Sequence, residues 1–148
     1  MKKFVFITLI AITGPTLHAQ TLMYEDYDWE LSPNLHTLTE QEMKEPEILL
    51  KDKTAIEYAY DKEGTLQAYF LTHKIIRVHT NEAIEDNNKI YLPYSDNSEI
   101  IRQKVRVITS TGKVIKLGTG DIKEAKDEET ESVYRYFALE GIDLGSEI

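Results

Sequence analysis

Beyond residue 53 the chain alternates apolar and polar positions with a period of two, the period of a half-buried strand. Over residues 53–60, Ile56, Tyr58 and Tyr60 share one face. The run "DKEG" at 61–64 then predicts a turn, because Gly64 can take a positive φ at no steric cost. A return strand follows over 66–79. Phe70, Ile76 and Val78 lie on one of its faces and Tyr69, Leu71 and Ile75 on the other. A strand that is apolar on both faces is expected to lie centrally, between layers.

A second hairpin reads more cleanly. Ile101, Val105 and Val107 alternate against Arg102, Lys104 and Arg106, and "TSTG" turns the chain at Gly112 towards "KVIKL". Between the hairpins, "NEAIEDNNK" reads as a polar loop. "IYLPY" reads as a short strand that Pro93 confines to an edge. After Gly118 and Gly120 the charged run "DIKEAKDEETES" reads as a mobile connector. "SVYRYFALEG" is the next strand, with Val133, Arg135, Phe137 and Leu139 opposite Tyr134, Tyr136 and Ala138. Ahead of the first hairpin, "LTEQEMKEP" predicts one short helix, because Thr39 and Glu42 have capping-box spacing and Pro46 stops it. These elements predict a mainly β fold: an antiparallel two-sheet, sandwich-like domain with one short N-terminal helix.

The first 21 residues, "MKKFVFITLIAITGPTLHAQT", follow another pattern. Lys2 and Lys3 precede an apolar run from Phe4 to Ile12, Gly14 and Pro15 break it, and Ala19 precedes Gln20. That order is a secretory signal peptide, and the run is too short to span about 30 Å of hydrocarbon. Cleavage after Ala19 is expected to give an exported product, periplasmic or secreted, with no membrane segment. It removes two lysines and no acids, which takes the formal charge from −9 to −11. The expected organisation is a signal peptide at 1–19, a lead-in at 20–52 that lays Tyr24, Tyr27 and Trp29 on the body of the domain, and a β domain at 53–148. An acidic surface disfavours nucleic acid. The absence of cysteine excludes disulfides, zinc–thiolate sites and thiol nucleophiles from these 148 residues.

The remaining chemistry is sparse. His73 and His79 share a strand face but lie about 20 Å apart, too far to share a metal. Together with His36 they read as separate surface groups. The acidic runs lack the spacing of a calcium loop, and no G-x-S-x-G elbow occurs, so no catalytic residue and no cofactor is expected. Two groups are candidates for binding. Tyr58, Tyr60, Tyr134 and Tyr136 could present a glycan- or peptide-binding surface, although paired strand tyrosines more often fill a sheet interface. Arg102, Lys104 and Arg106 could contact an anion, although alternating charge ordinarily marks a wet strand face.

The order "YDKEG", "YFLTHKIIRVHT", "IYLPYSDNSEIIRQKVRVITSTGKVIKL" and "YRYFALEGIDLGSEI" resembles the bacterial family called domain of unknown function 3857. The "TGKVIKL" turn and the spaced ending Phe137, Leu139, Gly141, Gly145, Ser146, Ile148 carry most of the likeness, over 53–148. Glu140 stands where many members have proline. The resemblance implies an exported protein in which this β domain precedes a transglutaminase-like domain with a Cys-His-Asp arrangement. None of those catalytic residues maps here. It therefore implies a truncated piece whose partner is the downstream domain of the same polypeptide. The expected role is non-catalytic: to support that domain or present substrate to it. The alternative is a free-standing exported glycan- or peptide-binding domain. On the first reading the strand that ends at Ile148 should leave an unsatisfied edge.

Overall fold

The computed structural model describes residues 21–29, 33–93, 98–129 and 131–148; the expected signal peptide at 1–19 lies outside them. The lead-in opens with a single helical turn, α1 (Met23–Asp26). The helix expected near Glu42 is one 3₁₀ turn, Glu42–Lys44. Its capping box is present: the Glu42 carboxylate accepts from the Thr39 amide (2.7 Å) and the Thr39 hydroxyl accepts from the Glu42 amide (3.3 Å). The Thr39 amide, and then the Thr39 hydroxyl that donates to the same carboxylate (2.8 Å), hold the Glu42 carboxyl below the usual carboxylate range.

Strand pairing starts earlier than residue 53. β1 (Glu47–Tyr60) pairs antiparallel with β2 (Leu66–Val78) along its whole length, with one bulge between Leu49 and Lys51. Gly64 makes the turn at φ 81°. The polar stretch after β2 is not a loop. It is α2 (Asn81–Asn87), whose first turn is capped by the Thr80 hydroxyl, which accepts from the Ala83 amide. Two turns are too short to display a helical period; Thr80 as a cap is the local signal, and Ala83 is the residue the helix buries. β3 (Lys89–Tyr91) lies at a sheet edge, as Pro93 required. β4 (Val105–Ile108) and β5 (Val114–Leu117) form the second hairpin, turned by Gly112 at φ 82°.

The charged run after Gly120 also departs from expectation. It contains β6 (Ile122–Lys126), which pairs with β7 (Val133–Ala138). Ile122 sits opposite the fully buried Phe137, so a long-range partner fixes this strand despite its weak local pattern. Its Lys123, Glu124 and Lys126 suit an edge strand, because charge discourages pairing with another chain.

Two antiparallel sheets result. One has the order β3-β7-β6. The other joins the two hairpins through residues 145–148. The Ile148 amide and carbonyl exchange bonds with Ile76 of β2 (2.8 and 3.0 Å), and those of Glu147 exchange bonds with Ile108 of β4 (2.9 and 2.8 Å). Gly145 (φ 91°) and Ser146 together face Val78, the two-against-one count of a bulge that opens with a left-handed glycine. The segment is therefore paired on both sides through Ile148, and the expected unsatisfied edge is not found there. The core lies between the sheets. Val105 and Val107 meet Phe137 and Leu139, with Ile90, Ile115, Ile122 and Ile148 packed around them.

Candidate functional site

Because residues 145–148 lie between β2 and β4, these two strands stand about two ladder spacings apart, roughly 10 Å. Beyond Ile148, β2 runs on to Leu66, while β4 reaches only Val105 and residues 98–104 continue that side without strand pairing. A groove of about 1780 Å³ opens there, lined by residues 67–75 of β2 on one side and 98–106 on the other, with Glu147 and Ile148 at its closed end. Main-chain direction alternates along a strand. Ile76 turns its amide and carbonyl to Ile148, so Lys74, Thr72 and Phe70 turn theirs to the groove. On that side these three pair with no other described residue.

The lead-in roofs one face of the groove. The Tyr24 ring stacks on Tyr69 at 5.8 Å. The Tyr27 hydroxyl lies 2.7 Å from His73 Nδ1, and Lys53 Nζ sits 4.1 Å from the centre of the Tyr27 ring. Burial first, and then Lys51, Arg106 and Lys53, hold the His73 pKa below its ordinary value, which suits an imidazole nitrogen that accepts from Tyr27. Across the groove, the three bases read as an anion contact hold the other end of the same segment. Arg102 donates to the Tyr27 carbonyl, Lys104 Nζ reaches both Asp28 oxygens at 2.7 Å, and the Arg106 guanidinium lies 4.6 Å from the Trp29 ring centre. The hydrogen bond from Lys104 is the first cause of a lowered Asp28 pKa. The lining also includes the apolar side chains of Phe70, Ile90, Leu92, Ile100 and Ile101.

The four tyrosines proposed as a binding surface divide between the sheets. Tyr58 and Tyr60 sit on β1, more than half exposed. Tyr134 and Tyr136 sit on β7 and gather with Tyr91, all three rings 5.6–6.0 Å apart, on the face opposite Phe137.

One polar cluster escaped the sequence. His36 is not a lone surface group. The Glu147 side chain is only 1% exposed and accepts from the His36 amide (2.7 Å), lies 2.9 Å from His36 Nδ1, and accepts from Arg77 (3.2 Å). Arg77 also donates to the His36 carbonyl at 2.8 Å. These residues are 111 and 70 positions from Glu147 in sequence. The single available signal was an acid placed inside an otherwise core-directed ending.

Apart from the lead-in and Leu50 and Lys51 of β1, the lining of the groove falls within residues 56–148, the span over which one family model matches. No curated protein and no solved structure matches the chain. The family is described as a domain of unknown function with a solved structure, DUF3857, and this chain belongs to it.

Proposed function

We propose that the chain is an exported, non-catalytic β module, periplasmic or secreted, that supports a transglutaminase-like domain following in the same polypeptide or presents substrate to it. The observation that carries this reading is the groove. It is built from strand edges and aromatic walls, and its prominent charged groups are engaged in structure: Asp28 with Lys104, and Glu147 with Arg77 and His36. Such a site suits holding a polypeptide better than cleaving one. Family membership supports the reading, as does the lack of any cysteine to act as a thiol nucleophile.

The test is to read the locus past codon 148 and weigh the exported product. A frame that runs on into a Cys, His and Asp domain supports the reading, and activity of that domain on a protein substrate should then fall when this module is deleted. A stop codon directly after Ile148 with a matching mass would sink it. The Tyr91, Tyr134 and Tyr136 cluster favours a second reading, a free-standing glycan- or peptide-binding domain. Flat titrations against both ligand classes would remove that one.

A further inference from the structure

We infer that the outer face of the β3-β7-β6 sheet binds an acidic glycan, with sugar rings on Tyr91, Tyr134 and Tyr136 and carboxylates at Lys89 and Lys123. The inference rests on the second reading above for its site and names the ligand of that tyrosine cluster. The binding itself does not depend on whether the chain stands alone or precedes another domain.

Three observations lead here. The first is the composition of the face. In the strand registers, the positions turned away from Phe137 are Lys89 and Tyr91 on β3, Tyr134 and Tyr136 on β7, and Lys123 beside Tyr136 on β6. The other two are alanines, Ala125 and Ala138. These positions hold two lysines and no acid, although the chain as a whole has a charge of −9. The second is that the polar groups are unspent. Among the described residues, none of the three phenols makes a hydrogen bond, and neither lysine has an ion-pair partner. Both lysines are exposed, and so is Tyr91. Lys89 Nζ lies 5.7 Å from the centre of the Tyr136 ring, so a carboxylate drawn to it is held beside the rings. The third is the place of the face in the sheet. β7 is the middle strand, bonded to β3 on one side and β6 on the other. A ligand lying over it meets side chains only, and a peptide has no ladder to join there. A folded protein suits the face no better. It offers no aliphatic side chain larger than alanine, and lysine is depleted from the buried centre of protein interfaces. The exposed face of β1 and β2 is the contrast, with Ile56, Leu66 and Phe70. A sugar ring fits what the tyrosine face does offer. Its C–H groups pack on tyrosine rings, its hydroxyls exchange hydrogen bonds with phenols, and a carboxylate on it pairs with lysine. Three rings 5.6–6.0 Å apart suit an oligosaccharide better than a single sugar.

The probes are short uronate oligomers of three kinds (galacturonate, mannuronate, and glucuronate alternating with N-acetylglucosamine), titrated calorimetrically into the 148-residue chain. Saturable binding of at least one is expected, with ring-proton shifts at Tyr134 and Tyr136. An uncharged glucose oligomer of equal length should bind about tenfold more weakly. Replacing both lysines, Lys89→Glu with Lys123→Glu, should bring the uronate down to that level. Tyr91→Ala should weaken binding by about tenfold, and the fold should survive it, because the ring is on an edge strand and mostly in water. The inference is overturned if none of the three oligomers binds saturably, or if the uncharged oligomer binds as tightly as the best of them. Affinity unchanged in both variants would overturn it too, by placing the ligand elsewhere. Failure of the oligomer to bind a longer product of the same locus would mean that the polypeptide itself covers the face, with the same result. A glutamate oligopeptide that binds at these tyrosines as tightly as the best uronate would overturn the choice of a glycan and leave the second reading standing. Whether the chain is free-standing is decided by the locus, so the inference and that reading can fail independently.

Discussion

The sheet that joins the two hairpins contains the same two strands, β1 and β2, in two conditions. Around Ile76 and Val78, β2 has β1 on one side and residues 145–148 on the other, and Val78 is fully buried. Around Phe70 the same strand has, among the described residues, β1 alone, and Phe70 is 69% exposed, with its cross-strand partner Ile56 and with Tyr58, Tyr60 and Leu66 also exposed. Sequence pattern is equivalent at the two ends, since apolar residues alternate through both. What differs is the neighbour. A third strand and the second sheet convert apolar alternation into a core at one end, and without them it remains an exposed apolar face.

The largest effects should separate these ends. Phe137→Ala removes a fully buried ring from the core and should cost about 3–5 kcal/mol in urea unfolding. Phe70→Ala should stay within about 0.5 kcal/mol, because the ring is largely in water already. If the two variants destabilise equally, the open end is packed in solution and the contrast is wrong.

Next comes the polar cluster around Glu147. Glu147→Ala leaves Arg77 without its carboxylate in a mostly buried setting and should cost about 3 kcal/mol, the low end for breaking a buried pair, because His36 is half exposed. The double variant with Arg77→Ala should cost less than the sum of the two singles. Strict additivity in that cycle would show that the two side chains do not act as a pair.

The turns make a smaller test. Gly141 has φ 76°, and a Cβ there would lie 2.8 Å from Ile115 Cδ1. Gly64, at the tip of the open hairpin, has φ 81° and empty space around it. Gly64→Ala should cost only the left-handed penalty, about 1–2 kcal/mol. Gly141→Ala should cost more, because Ile115 must also move. Thermal melts of the two variants would rank them, and the reverse order would mean that the Ile115 contact relaxes freely.

Legibility followed the range of the interaction. Both hairpins, with glycines at 64 and 112, could be read because strand period and turn chemistry lie within a dozen residues. The capping box of Thr39 and Glu42 is equally local. β6 was missed because its pairing is decided by Phe137 and Tyr134 across a turn, and α2 because two helical turns show no period. The role of residues 145–148 was hidden most deeply, since it depends on Ile76 and Ile108, each far away in the chain. The three bases were legible as a charged group. Their partners Tyr27, Asp28 and Trp29, some 75 residues away, were not.

The smallest effect concerns acid, and it distinguishes the roof of the groove from the closed end. His73 has a folded pKa below its ordinary value of about 6.5, so its contribution to stability is present above that pH and is lost as the pH falls through the lowered folded value. Asp143 near the closed end is also depressed, first by the hydrogen bond from Ser146 and then by the amide and hydroxyl of Ser110. Its contribution is present above about 3.9 and is lost only as the pH falls below that, through a lower folded value. Acidification should therefore act in two stages. Once the pH falls through the lowered folded value of His73, the protonated imidazole can no longer accept from Tyr27, and Trp29 fluorescence should change while the fold persists. Loss of the Asp143 contacts, read by amide exchange at Ser110, should follow in the carboxylate range. His73→Gln should abolish the first stage and leave the second in place. If both stages disappear together, the roof and the closed end are one cooperative unit, and the contrast between the two ends of the sheet does not extend to their stability.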